Sequence, residues 1–288
     1  MTGNPGLLPS PAFLPGVSRL VTLALEEDIG PGDITTDAII DPQAKGKALI
    51  RAKEPLVLAG LDVARGVFLR LDPEVCFSAH RPDGCHLAAG EEIAVVEGRY
   101  RALLTGERTA LNFLQRLSGV ATHVRAFISQ MPVSGPRITD TRKTLPGWRV
   151  LEKYAVRVGG ASNHRMGLYD GVLIKDNHIA ASGGITEAVR RAKKAAPHTL
   201  AIEVEAANLD QFQEALEAGA DIIMCDNMDD ESIQKAIHLS RGKALLEVSG
   251  GVTRSRLEKL ASMGVDIVSV GALTHAARAV DISMDVYG

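Results

Sequence analysis

The alternation of apolar and polar residues changes character near Pro136. Upstream, "SRLVTLALEEDIG" (18–30) carries apolar residues at helical spacing, with Ser18 placed as an N-cap and Gly30 as a stop. Strand-like runs follow at 46–59, 75–79 and 92–100, divided by the turn sequences "RPDG" and "LAAGE". Leu111, Leu114, Leu117, Val124 and Ile128 then recur at three- and four-residue steps and predict a long helix over 105–130. Residues 1–18, rich in Pro and Gly, are expected to form a loose arm. This part of the chain reads as an α+β layer.

Downstream, "RITD", "GVLIKD", "LAIEVEA", "DIIMCD", "LLEVSGG" and "VDIVSVG" are short apolar strands, and amphipathic segments at 149–158, 186–196, 209–218, 230–239 and 254–263 are helices between them. Strands that are apolar along their length and alternate with helices predict a parallel sheet covered by helices. Six such units are fewer than the eight of a complete barrel, so they point to an incomplete α/β barrel. A doubly wound open sheet has the same periodicity and is the competing reading.

Composition narrows the function classes. At 288 residues, 45% hydrophobic and only 4% aromatic, the chain can build a barrel and a smaller domain around Val, Ile, Leu and Ala. A net charge of −3 argues against a nucleic-acid partner, so cations that cluster are expected to serve a small anion. Cys76, Cys85 and Cys225 have no metal-ligand spacing and fit a reducing cytoplasm better than a disulfide scaffold. No apolar run is long enough to span a bilayer, and the Pro-broken start is not expected to act as a secretory signal. The expectation is a soluble cytoplasmic protein with no membrane partner.

In parallel α/β folds the active site lies at the carboxyl ends of the strands. Here those ends read Asp140-Thr141-Arg142-Lys143, Lys175-Asp176-Asn177, Glu203 with Glu205, Asp226-Asn227, Ser249-Gly250-Gly251 and Gly271. Glu203 and Glu205 stand two apart in one strand and face the same side. With Asp226 ending the next strand they suit a cation or a set of hydroxyls, and Mg²⁺ commonly takes one or two carboxylates and completes its shell with water and phosphate. An ion pair between one glutamate and Lys175 is the structural alternative. The glycine turns at the last two strand ends resemble the phosphate grip of phosphate-binding barrels.

Arg142, Lys143, His164, Arg165 and Lys175 all fall at strand ends or in the loop "GGASNHRMGLYDG", and Arg108 on the long helix is a candidate to join them. Adjacent cations repel unless an anion joins them. Arg149, Lys153 and Arg157, spaced by four on a helix, read instead as a solvated face. Lys175 as a Schiff-base lysine is a rival chemistry, but neighbouring acids oppose the depressed pKa it needs.

"TRKTLPGWRVLEKYAVRVGGASNHRMGLYDGVLIKDNHI", with "IEVEA", "CDNM", "EVSGGV" and "SVGALTH", resembles the quinolinate phosphoribosyltransferase family. "EDIGPGDITT" (27–36) and "GERTALNFLQRLSGVAT" (106–122) agree, so the resemblance runs from about residue 19 onward, while the arm matches nothing. It implies an N-terminal α/β sandwich domain (19–130, rejoined by 275–288) and an incomplete α/β barrel (131–274). It also implies dimers, or hexamers built from dimers, in which the residue matching Arg108 crosses into the partner's site. The implied reaction joins quinolinate to phosphoribosyl pyrophosphate with loss of carbon dioxide and pyrophosphate.

By the same resemblance, Arg108, Thr141, Arg142, Lys143, His164, Arg165 and Lys175 bind quinolinate, whose two adjacent carboxylates call for several cations in a small space. Lys143, Lys175, Glu205, Asp226, Ser249, Gly250, Gly251, Gly271 and Ala272 bind phosphoribosyl pyrophosphate. Lys143, Lys175, Glu205 and Asp226 act in catalysis, and Glu205 and Asp226 hold Mg²⁺. The acidic pair and "TGGT"-like loop of ordinary phosphoribosyltransferases are absent, and Asp229-Asp230 reads as a helix start. The rivals are a molybdenum-associated homologue of the same fold, a relative using nicotinate, an aldolase acting through Lys175, and a non-catalytic protein with a decayed site.

Overall fold

The structure, a computed structural model, describes residues 9–129, 131–132 and 135–287. In chain order the elements are α1 (Pro15–Ile29), α2 (Ile34–Ile39), β1 (Lys45–Ala52), β2 (Leu56–Val57), α3 (Leu61–Leu71), β3 (Cys76–Ala79), β4 (His86–Leu87), β5 (Glu92–Arg99) and α4 (Tyr100–Ile128). There follow β6 (Arg137–Thr139), α5 (Arg149–Gly159), β7 (Val172–Ile174), α6 (Asp176–Ser182), α7 (Ile185–Ala195), β8 (Ile202–Ala206) and α8 (Leu209–Glu217). The chain closes with β9 (Ile222–Asp226), α9 (Asp230–Ser240), β10 (Leu245–Ser249), α10 (Arg254–Met263), β11 (Ile267–Ser269), α11 (Ala272–His275) and β12 (Ile282–Tyr287). They form two compact units.

The first unit holds the described residues up to Ala126, with 144–160 and 273 onward. Its antiparallel sheet has the order β12-β1-β5-β3, and the chain's last strand pairs with its first, Ala48 opposite Val286. α4 lays a continuous stripe of Leu103, Leu111, Phe113, Leu114, Leu117, Val120 and Val124 into the core. Ala102 and Leu103 extend that stripe, which is why the helix starts at Tyr100, ahead of the expected Thr105. α5 packs on α4: Trp148 stacks on Phe113 at 4.7 Å, and a Cβ at Gly159 would strike Val124. Buried Glu152 accepts from Arg116 Nε at 2.9 Å, and Arg116 also donates to the Ala277 and Thr274 carbonyls.

Three expectations change here. The α5 residues Arg149, Lys153 and Arg157 were expected on a solvated face, yet Lys153 is fully buried, because the apolar stripe of α5 is wide enough to take its stem inside. α1 begins at Pro15, ahead of Ser18, since a proline at the first helical turn gives up a donor the helix does not use. A 3₁₀ turn over Pro11–Phe13, capped by Ser10, precedes it, and Pro11 and Val17 are buried. Residues 9–18 of the expected loose arm are therefore ordered, while 1–8 lie outside the described residues.

The second unit contains a six-stranded parallel sheet of order β6-β11-β10-β9-β8-β7. Each strand from β7 to β11 neighbours the next in sequence, and β6 pairs with the last of them. That circular order with one open seam is a barrel missing strands; a doubly wound sheet would reverse its order at a switch point. Between β6 and β7, Ser162 bridges Thr139 in parallel sense. Asp229 caps α9 by accepting from the Ser232 N–H at 2.8 Å, as read from the sequence. Among the described residues no helix is long and apolar enough to cross a membrane.

Candidate active site

The seam beside β6 is fastened by Asp140, which is completely buried. Its carboxylate accepts from Asn163 Nδ2 at 2.7 Å and from the His164 N–H at 2.9 Å. The Ser162 N–H donates to the Ile138 carbonyl, and the Asp140 N–H donates to the Ser162 carbonyl. The glycine-rich loop is thus laid along the strand as a partial substitute for a missing one, and it delivers His164 and Arg165 to the barrel. Its tip is tied by Asp170, which accepts from the Met166 and Gly167 N–H groups at 2.7 and 2.8 Å.

Arg165 Nη1 donates to the Gly171 carbonyl at 3.0 Å. Burial, then the nearby Arg142 guanidinium, push the Arg165 pKa down from its usual value, while Glu203 and Asp170 pull it back up. The two arginines are therefore close enough to repel, as a site waiting for an anion requires. Arg142 and Lys143 are exposed past the end of β6, where the Lys143 N–H donates to Thr141 Oγ1 at 3.1 Å.

At the carboxyl ends of the neighbouring strands, Lys175 Nζ contacts Glu205 Oε2 in an ion pair. This is the structural alternative weighed for one glutamate, realised at Glu205. A lysine engaged by a carboxylate is suited to meeting anions; a Schiff-base lysine needs apolar or cationic surroundings. Glu205 stands in register with Met224, so Asp226, two residues on, faces the same side at the end of the next strand. Asp226 accepts from Asn227 Nδ2 at 3.0 Å. Both groups offer only hard carboxylate oxygens, the donor set Mg²⁺ takes when phosphates and water complete its shell, so these residues fit that ion.

Next along the sheet, Gly250 and Gly251 adopt φ of +88° and +59° between β10 and α10. A side chain at Gly250 is excluded twice over, because a Cβ there would sit 2.1 Å from Asn227 Oδ1. Arg256 fixes the loop from below, donating to the Gly250 carbonyl at 3.0 Å and the Met228 carbonyl at 2.6 Å. Ser249 and Ser269 are in register on β10 and β11, so Gly271 and Ala272, at the start of α11, follow one strand over. Arg108 is exposed on α4, in the first unit.

Deeper in the barrel lies a second polar layer. His164 Nε2 is 3.2 Å from Glu203 Oε2 and 3.6 Å from Glu247 Oε1. Both glutamates are buried, and each has an Oε1 without a hydrogen-bond partner. His164 Nδ1 accepts from the Arg165 N–H at 2.8 Å. With Nδ1 accepting, the Nε2 of this histidine is turned toward the two glutamates. These groups line a cavity of about 460 Å³ whose rim is formed by Arg137, Val172, Ala201, Ile222 and Ile267, at the amino ends of the strands.

Arg142, Arg165, Lys175, Glu205 and Asp226 thus all fall on one unit, with the Lys175–Glu205 pair at the carboxyl ends and Arg165 lining the same cavity as His164. Glu247, Asp140 and Arg256 have no assigned role in the sequence reading. Glu247 shares the inward face of β10 with Ser249, a two-residue spacing that parallels Glu203 and Glu205 on β8. Nothing comparable marks Arg256.

Comparison with known proteins gives one consistent answer. The profiles of the quinolinate phosphoribosyl transferase N-terminal and C-terminal domains match residues 33–118 and 120–285. A probable nicotinate-nucleotide pyrophosphorylase (carboxylating) of Bacillus subtilis is 46% identical over 270 residues, covering 94% of this chain and 93% of its own. Its counterpart in Synechocystis sp. is 44% identical over 265 residues, with 91% and 90% covered. The crystal structure of NadC from Streptococcus pyogenes superposes with a TM-score of 0.91 at 41% identity, covering 97% of this chain and 98% of that one.

Proposed function

The chain belongs to the quinolinate phosphoribosyltransferase family, and from that premise we propose how its strand-end residues carry out the family's reaction. The enzyme transfers phosphoribosyl from phosphoribosyl pyrophosphate to quinolinate with decarboxylation, giving nicotinate mononucleotide, pyrophosphate and carbon dioxide for the biosynthesis of NAD. The observation that carries our placement of quinolinate is Arg142 and Arg165 at the barrel seam, where the Arg142 guanidinium adds to burial in lowering the Arg165 pKa. A planar dicarboxylate accepts forked, charge-assisted hydrogen bonds from such a pair. Thr141 and Lys143 flank it, and His164 anchors Arg165 from beneath.

The ribose and its phosphates follow the sheet around. The 5′-phosphate enters the cradle of Ser249, Gly250, Gly251, Gly271 and Ala272, where the positive φ of Gly250 and Gly251 lets backbone N–H groups approach it. Lys143 and Lys175 face the pyrophosphate and offset the charge that builds as it departs. Glu205 and Asp226 hold the ribose hydroxyls and would hold Mg²⁺, which supplies charge neutralisation to the pyrophosphate when bound. As the leaving group withdraws, carboxylates offset the positive charge at the sugar's C1. The pyridine nitrogen then attacks C1 and becomes cationic. That charge stabilises the carbanion left when the adjacent carboxylate departs as carbon dioxide. No side chain acts as nucleophile.

We further propose that the site is completed in a homodimer, itself able to build a hexamer, by Arg108 of a second copy. Phe13, Leu14, Leu23, Ile34 and Ile39 are large apolar side chains exposed on the first unit, a surface such a copy would cover. The free thiols of Cys76, Cys85 and Cys225 support a cytoplasmic setting.

The test is turnover with phosphoribosyl pyrophosphate and Mg²⁺, supplying quinolinate and nicotinate in parallel. Quinolinate should be converted with release of carbon dioxide, and nicotinate should be a poor substrate because the second guanidinium of the pair has no partner carboxylate. Equal use of both would sink the dicarboxylate assignment.

A further inference from the structure

Asn227 follows Asp226 at the end of β9, and the scheme above gives it no task. Its φ is +53°, and among the described residues only Arg241 shares a positive φ without being a glycine. Arg241 follows the last turn of α9, where helices commonly end in this conformation. Asn227 has no such reason. Asparagine tolerates the left-handed region better than most side chains, but glycine meets it without steric cost, so conformation alone does not call for an amide here.

The contacts of the amide supply the reason. Its Nδ2 donates to Asp226 Oδ2 at 3.0 Å. Its other side lies on Gly250: a Cβ built there would come within 2.1 Å of Oδ1, 2.5 Å of Cγ and 2.9 Å of Nδ2. The Asn227 N–H donates to the Ser249 carbonyl at 3.0 Å. Arg256 holds the same two segments together, donating to the Gly250 carbonyl at 3.0 Å and the Met228 carbonyl at 2.6 Å. A single side chain thus touches the carboxylate that ends β9 and the glycine turn that follows β10.

We propose that Asn227 is a positioning residue that locks the Asp226 carboxylate to the Ser249–Gly251 turn and so fixes the spacing between the two ends of the phosphoribosyl site. The inference rests on the placement of the ribose hydroxyls at Asp226 and of the 5′-phosphate at the glycine turn. Few bonds separate the ring hydroxyls of a ribose from its 5′-phosphate, so two half-sites that drift apart cannot both be filled by one sugar. The hydrogen bond at Oδ2 stops rotation of the carboxylate and presents Oδ1 in one orientation, as outer partners of ligating carboxylates do. Arg142 and Arg165 take no part in this lock, so its loss falls on phosphoribosyl pyrophosphate and spares quinolinate.

The experiment compares wild type with Asn227→Gly, which suits the positive φ and removes the side chain. Calorimetric titration of phosphoribosyl pyrophosphate with Mg²⁺ present should show binding weakened about tenfold or more, the scale of losing such an outer partner. The KM for phosphoribosyl pyrophosphate should rise with it, while the affinity and KM for quinolinate stay within about twofold. A double-mutant cycle with Gly250→Ala reads the lock itself. The three atoms nearest the added methyl all belong to Asn227, so Gly250→Ala should weaken phosphoribosyl pyrophosphate binding about threefold less, or better, when that side chain is gone. Equal losses in the two backgrounds overturn the lock, as does unchanged phosphoribosyl pyrophosphate binding in Asn227→Gly or an equal loss for both substrates. These results leave the substrate placement intact. Wild type that neither binds nor turns over phosphoribosyl pyrophosphate overturns the placement, and this inference with it. Should Asn227→Gly fail to fold, Asn227→Asp decides, because it keeps the shape and removes the donor: a loss confined to phosphoribosyl pyrophosphate supports the lock, and wild-type behaviour or an equal loss for both substrates refutes it.

Discussion

Asp140→Asn probes the fastening of the barrel seam. Asp140 is wholly buried, and its two oxygens accept separately from Asn163 Nδ2 at 2.7 Å and the His164 N–H at 2.9 Å. Asparagine keeps the shape but has one acceptor oxygen, so one of these donors must face its NH₂ group. Hydrogen bonds to a charged group contribute about 1.5–3 kcal/mol each; losing one and weakening the other should cost about 3 kcal/mol. Part of that cost appears as global stability, measured by urea unfolding. The rest appears at the site, because the segment released is the one that carries Arg165. Initial rates at saturating phosphoribosyl pyrophosphate should show the quinolinate KM raised about tenfold or more, with the phosphoribosyl pyrophosphate KM nearly unmoved. A variant that loses less than about 1 kcal/mol and keeps its quinolinate KM would refute the view that Asp140 holds the seam.

Further predictions follow the same reasoning. Gly250→Ala places a Cβ 2.1 Å from Asn227 Oδ1 at a φ of +88°, so it should raise the KM for phosphoribosyl pyrophosphate by the equivalent of about 1–3 kcal/mol and spare that for quinolinate. Glu152→Ala leaves Arg116 without its buried partner and should lower unfolding free energy by about 3–5 kcal/mol in urea titration. Arg278, then the Asp281 N–H, hold the Glu54 pKa down to about 2 from 4.5, so its stabilisation is complete above pH 4.5 and is lost as pH falls through about 2. The stability gap between wild type and Glu54→Gln should therefore close on acidification. Chelation of divalent cations should halt turnover, Mg²⁺ should restore it, and Asp226→Asn should need more Mg²⁺ for half-maximal rate.

The barrel strands were legible because parallel strands buried on both faces read as continuous apolar runs, and the carboxyl ends then stood out as the polar stops. The glycine turns and Lys175, Glu205 and Asp226 stood out at those stops for that reason. Closure was not, since periodicity does not show which strands pair; β6 beside β11 decided it. Lys153 misled because four-residue spacing fixes a helical face without saying what covers it, and here α5 packs on α4. His164 counted as one cation among several until the Arg165 N–H at its Nδ1 left its Nε2 turned toward the two glutamates. Glu247, two residues before Ser249, looked like an ordinary strand residue, and only the inward face of β10 made it part of a layer.

The most direct test of the account is a calorimetric titration of quinolinate, and separately nicotinate, into wild type, Arg142→Ala and Arg165→Ala. Each substitution should weaken quinolinate binding by about 2–5 kcal/mol, as for breaking a buried hydrogen-bonded charge pair, and should leave nicotinate nearly unaffected in at least one of the two variants. Quinolinate affinity unchanged in both would contradict the claim that the guanidinium pair at the seam is the dicarboxylate site.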